Sequence, residues 1–161
     1  MLDRDRSLAL ALEMVNRLEP PYYFSSYEPQ CCWANAVKAM RIYAKQLLNA
    51  VYVEGWCAMP DIHMVQPHGW IELEDGTIID PTYVYSNYEQ GIEVSYEYFP
   101  ALRYKLEALK GIRITRLPIV DKTHGWNGRN SEEYQAAMVN AYLRIGVDIR
   151  QDNKDMARIP S

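Results

Sequence analysis

Between His68 and Pro81 the chain reads HGWIELEDGTIIDP, and this run limits the fold more than any other stretch. Two alternating segments flank Asp75-Gly76, the pattern of a β-hairpin. Loop length decides what the hairpin can present. A two-residue loop pairs Glu74 with Thr77 and sends the His68 and Asp80 side chains to opposite faces. A three-residue loop, Glu74-Asp75-Gly76 with Gly76 left-handed, pairs Leu73 with Thr77. Trp70 then lies opposite Asp80, and His68 is its diagonal neighbour, about 7–8 Å away at the backbone. This register places Ile71, Leu73 and Ile79 on one face, suited to a core. His68, Trp70, Glu72 and Asp80 share the other, suited to a cleft, with Ile78 the one apolar exception. It is the register expected here.

The rest of the chain supplies helices for such a sheet. Leu8, Leu10, Leu12, Val15 and Leu18 mark a helix over 5–18, stopped by Glu19-Pro20-Pro21. A loop rich in Tyr and Ser follows, from Pro21 to Gln30. A second helix runs from Cys32 to about Leu48, with Pro29 at its entrance. Val51 to Cys57 alternates as a strand, and Ala58 to Pro67 reads as a loop. After the hairpin, Pro81 ends the strand and Tyr83 to Gly91 reads as loop. Tyr96 to Lys110 reads as a helix interrupted near Pro100 and stopped by Gly111. Ile112 to Val120 alternates as a strand, and Asp121 to Asn130 is a polar loop. Ser131 caps a last helix reaching about Ile145, before Gly146. These elements predict a single α+β domain over 1–150, with a frayed or partner-docked tail over 151–161.

Composition narrows the function. The 161 residues suit one domain, and 48% apolar with 24% charged residues is globular usage. A net charge of −4 with no Lys/Arg run argues against nucleic acid and against an anionic lipid surface. Acidic residues in the opening Met1-Leu2-Asp3-Arg4-Asp5-Arg6 argue against a signal peptide, and no stretch is apolar enough for a membrane span. Three cysteines, two of them adjacent, make a poor disulfide framework, so a reduced, cytoplasmic protein is expected. Tyrosine is abundant, at 13, and phenylalanine scarce, at 2. Two readings stand: tyrosine fills half-exposed positions, or it lines a substrate groove.

Cys32 falls at the start of a helix, where unpaired backbone N–H groups and the helix dipole favour a thiolate and can hold an oxyanion. A thiol nucleophile needs a base, and the base an orienting acceptor. His68 and Asp80 supply both on one hairpin face, giving a Cys–His–Asp triad. Each residue also has a plain reading: Cys32 as a small buried apolar residue, His68 as a strand-edge histidine bound to a carbonyl, Asp80 as the cap of a turn before Pro81. Cys31 is the rival nucleophile. His124, with Asn127 or Asn130, is the rival base. Cys31, Cys32, Cys57, His63, His68 and His124 are conceivable metal ligands, but no Cys-x-x-Cys or His-x-x-x-His spacing supports an ion. Asn35 lies one turn beyond Cys32 on the same face, to order the site or bond to backbone.

Cys32-Trp33-Ala34 resembles the nucleophile motif of papain-like and transglutaminase-like cysteine enzymes. His68-Gly69-Trp70-Ile71-Glu72 followed by Ile79-Asp80-Pro81-Thr82 resembles the transglutaminase-core signature. Gln30 to Ala36, Tyr52 to Trp56 and His68 to Tyr83 together are similar to small uncharacterised bacterial and phage proteins with Cys-x-x-Asn-Ala, Tyr-x-x-Gly, His-x-Trp and Asp-Pro-Thr. The resemblance spans about a third of the chain. It implies a papain-like α+β fold, the nucleophile helix packed on an antiparallel sheet that carries His and Asp, with further helices at both ends. Cys32, His68 and Asp80 would be catalytic. Trp33, Asn35 and Trp70 would support the site, and the Gln30 amide would face the oxyanion. The implied chemistry is a thioester acyl-enzyme on an amide bond, without cofactor or metal: peptidase, amidase, glutamine deamidase or transglutaminase. The substrate would be a protein or peptide, or a small amide. The alternative is an inactive binding protein of this type, such as a phage protein that blocks a host factor. Substrate, oligomeric state and the role of residues after Tyr83 stay open.

Overall fold

The computed structural model describes residues 1–17, 31–112 and 130–150. Its elements are α1 (Arg4–Arg17), α2 (Cys32–Ile42), β1 (Val51–Met59), a 3-10 turn (Pro60–Ile62), β2 (Met64–Glu72), β3 (Ile78–Ile79), α3 (Pro81–Gln90), β4 (Glu97–Lys105), α4 (Leu106–Leu109) and α5 (Glu132–Arg144). The strands form one antiparallel sheet in the order β3-β2-β1-β4. Helices and an antiparallel sheet thus combine in a mixed α/β fold.

The β2–β3 hairpin has the three-residue loop. Ile71 pairs with Ile79 and Glu72 with Ile78. The Leu73 N–H donates to the Thr77 carbonyl at 2.8 Å, and the Gly76 N–H to the Leu73 carbonyl at 3.0 Å. Gly76 has φ +79°, where a Cβ would be strained. Ile71 and Ile79 are buried among Leu10 and Met14 of α1, Ala36, Val37 and Met40 of α2, and Tyr52 of β1; Leu73 packs at the margin. The other hairpin face is not the open cleft expected. His68, Trp70 and Asp80 have no exposed surface, because the rings of Tyr83 and Tyr98 lie against them.

Strand alternation gives β1 and β2 two distinct faces. On one, Gly69 meets Trp33 of α2: a Cβ there would lie 2.6 Å from Trp33 Cδ1 and 2.8 Å from the Tyr52 hydroxyl. Trp56, on the same face, packs against Tyr134 and Tyr142 of α5. On the other face lie His68, Trp70 and Cys57, with Tyr83, Val94, Tyr96 and Tyr98 nearby. The β1–β4 register shifts between Glu54 and Gly55, and at Gly55 a Cβ would come within 2.2 Å of the Phe99 carbonyl oxygen.

Several elements differ from the sequence expectation. The stretch 58–67 is not a loop but the tip of a long hairpin, turned by Pro60–Ile62 with His63 left-handed. Pro67 is tolerated within β2 because β3 covers only Ile71 and Glu72. Residues 83–91 are helical: Asp80 caps α3, Pro81 occupies its first turn and Gly91 closes it in the left-handed region. Residues 97–105 form a strand rather than a helix, with Pro100 seated at the bulge. The second helix ends at Ile42 instead of Leu48, and turns lead to a left-handed Asn49. The expected loop over 21–30, strand over 112–120, polar loop over 121–130 and tail over 151–161 lie outside the described residues, apart from Ile112 and Asn130. No described helix is long and apolar enough to cross a membrane.

Candidate active site

Two helix starts assemble the site. Cys32 opens α2 after Cys31, which makes no side-chain cap bond. Asp80 precedes α3 and caps it: Oδ1 accepts from the backbone N–H of Thr82 at 3.0 Å and of Tyr83 at 3.2 Å. The Asp80 N–H donates to Ser7 Oγ at 2.9 Å, and Ser7 Oγ donates to the Asp3 carbonyl, so α1 also fixes this residue. Asn35 Nδ2 donates to Thr82 Oγ1 at 3.0 Å in a buried bond that joins the first turns of the two helices. That joint carries Cys32 and Asp80 together to His68, beside the point where Trp33 packs on Gly69.

His68 Nε2 and Asp80 Oδ2 are 2.7 Å apart, both side chains having no exposed surface. The carboxylate accepts, so Nε2 carries the proton. Cys32 lies close enough to the imidazole to raise it, and Nδ1 is the ring nitrogen with no hydrogen-bond partner among the described residues. Burial alone pushes the His68 imidazole down. The Asp80 carboxylate first and Cys32 second outweigh it, and the group rises to about 10. The Asp80 carboxylate 2.7 Å from Nε2 thus favours the protonated imidazolium. Tyr83 stacks on it with centroids 3.8 Å apart and rings 4° from parallel, an arrangement that favours a cation over an aromatic face. Trp70 is stacked at 6.3 Å.

The carboxylate of Asp80 is fully engaged. Beyond the two α3 amides and His68, Oδ2 accepts from the Tyr98 hydroxyl at 2.8 Å. Burial first, then the Asp80 charge, holds the Tyr98 phenol well above its ordinary range, which keeps it a donor. Burial and Asp80 likewise push the Cys57 thiol up. The Tyr52 hydroxyl donates to Glu54 Oε1 at 2.6 Å, both residues fully buried. Burial followed by Glu54 raises that phenol.

Cys32, His68 and Asp80 thus meet. Trp33 lies against the Gly69 backbone next to His68, and Trp70 flanks His68 and Tyr98. Neither indole N–H has an acceptor among the described residues. Asn35 binds α3 through Nδ2, and its Oδ1 has no described partner. Gln30, His124 and Asn127 lie outside the described residues, while Asn130 is exposed ahead of α5. His63 is exposed at the hairpin tip. Among the described residues no three His, Cys, Asp or Glu side chains are grouped to hold a metal ion.

Ser7, Thr82, Tyr83 and Tyr98, none of them singled out by the sequence, complete the site. Asp80-Pro81-Thr82 is a helix-start signature that would have placed Thr82 and Tyr83 on a first turn beside the acid. The alternation of Tyr96 and Tyr98 would have marked β4. For Ser7, no local signal exists. Comparison of the chain with family models, with curated proteins and with solved structures returns no match.

Proposed function

We propose that the chain is a thiol enzyme of transglutaminase-like or papain-like design that acts on amide bonds through a thioester. The observation that carries this reading is the buried imidazole of His68, bound to Asp80 through Nε2 and adjacent to Cys32 at the start of α2. The Cys32 thiolate attacks the amide carbonyl and forms the S–C bond. The backbone amides of the first α2 turn are donors for the oxyanion. The C–N bond breaks, and the leaving amine takes the proton from His68 Nδ1. The imidazole, neutral again, removes a proton from water as it attacks the thioester, releasing the acid and restoring the thiolate–imidazolium pair. Asp80 holds the tautomer and balances the imidazolium. An amine in place of water gives transamidation. Hydrolysis is the reading adopted, because no described feature recruits a lysine.

One observation favours a second reading, an inactive binding protein. Cys32 is fully buried, and two described grooves, of about 370 Å³ between α1 and α3 and about 410 Å³ beside Tyr96 and Tyr98, do not include it. An enzyme must open to expose the thiol. Iodoacetamide labelling at neutral pH with mass mapping of Cys31, Cys32 and Cys57 separates the two. The enzyme reading expects selective modification of Cys32 that slows at least tenfold in His68→Ala. Modification of Cys31 alone, or no effect of His68→Ala, overturns it.

A further inference from the structure

Asp80 Oδ2 serves two donors, the His68 Nε2–H at 2.7 Å and the Tyr98 hydroxyl at 2.8 Å. Its partner Oδ1 is held by two α3 backbone amides, so the carboxylate cannot rotate to give each donor its own oxygen. Tyr98 stands on β4 opposite Cys57. Its ring is fixed against Trp70 at 5.1 Å. We propose that Tyr98 is a positioning residue: its hydroxyl competes with His68 for Asp80 Oδ2 and sets how tightly the acid holds the imidazolium. This rests on the thiol-enzyme reading and deepens it.

The physical reason is the sharing of one lone-pair region. A donor on a carboxylate draws off negative charge and weakens the bond that the same oxygen makes elsewhere. Other titratable groups around the pair are Cys32 from α2, Cys57 from β1 and Tyr83 from α3; α1 contributes the neutral Ser7. None of these is a described donor to the Asp80 side chain except the Tyr83 backbone N–H, and that bonds to Oδ1. Tyr98 is therefore the one described side chain besides His68 that bonds directly to Oδ2. With the hydroxyl gone, the imidazolium has that oxygen to itself. Its bond to Asp80 shortens, and its proton is held more strongly.

The test is the low-field resonance of the His68 Nε2 proton together with the ring titration, in wild type, Tyr98→Phe and a chain carrying 3,5-difluorotyrosine at 98. The full chain is used, with the resonance read at neutral pH and the ring titrated from neutral to alkaline pH. Tyr98→Phe should move the resonance further downfield and the titration midpoint up by about one pH unit. Difluorotyrosine, a stronger donor of nearly the same size, should move both the other way. It keeps the test valid where Tyr98→Phe folds poorly. Opposite movements support the proposal. An unmoved His68 in both chains overturns it while Cys32 labelling in wild type remains selective. If wild-type Cys32 is not selectively labelled, the thiol-enzyme reading itself falls, and the positioning role with it.

Discussion

Asp80→Asn isolates the charge that the site is built around. The substitution keeps the helix cap, since Asn caps nearly as well as Asp, and Oδ1 can still accept from the Thr82 and Tyr83 amides. At the other position it places an NH2 group against the His68 N–H and the Tyr98 O–H, where the carboxylate oxygen accepted both. The phenol can rotate, but the imidazole must change tautomer or lose its partner. In the native chain His68 lies at about 10 against 6.5 for a free histidine. At about 1.4 kcal/mol per pH unit, that rise is worth at most about 5 kcal/mol, comparable with the roughly 3–5 kcal/mol for removing one partner of a buried ion pair. Because the folded value is raised, this stability is complete below pH 6.5 and is lost as pH climbs towards 10. In Asp80→Asn the burial that pushes the imidazole down loses its main opponent. The midpoint should fall by several pH units, and the decline in stability between pH 6.5 and 10 should largely disappear. Ring resonances, assigned by difference from His68→Gln among the three histidines, report the midpoint, and urea unfolding from pH 6 to 10 reports the slope. Turnover on any amide substrate found should drop by about 10³–10⁴. A wild-type His68 that is neutral at pH 8, or a midpoint unmoved in Asp80→Asn, refutes the reasoning.

Gly69→Ala drives a Cβ into Trp33 and the Tyr52 hydroxyl. It should cost about 1–3 kcal/mol of stability, read by urea unfolding, as overpacking does, and alter the Cys32 labelling rate through Trp33. Stability within about 0.5 kcal/mol of wild type would show that α2 shifts freely at this point. Asn35→Ala cuts the joint between α2 and α3. The lost bond is offset in part by removal of an Oδ1 without a described partner, so a loss of about 1 kcal/mol is expected in the same assay. Cys32 labelling should also lose its dependence on His68 as the two helix starts separate; retention of that dependence would leave Asn35 a stabilising residue only.

The hairpin and its register follow from local sequence alone. Gly76 accepts the left-handed turn, and period-two alternation lets only an odd loop put Ile71 with Ile79 in the core while His68 and Asp80 share the other face. The start of α2 at Cys32 and the Ser131 cap of α5 were legible for the same reason, being local signals at helix starts. The other elements follow from long-range packing, because their signals depend on partners distant in the chain. Pro81 ends a strand and begins a helix with equal propriety; the buried Asn35–Thr82 bond shows which outcome the fold uses. Residues 97–105 form a strand because β1 offers an edge there and a bulge that accommodates Pro100. The face that alternation marked as a cleft is a closed layer, since Tyr83 and Tyr98 arrive from α3 and β4 to cover it. Charge follows the same division: the sequence names an acid and a histidine, but only enclosure makes their attraction outweigh the cost of burial and leaves the imidazolium protonated.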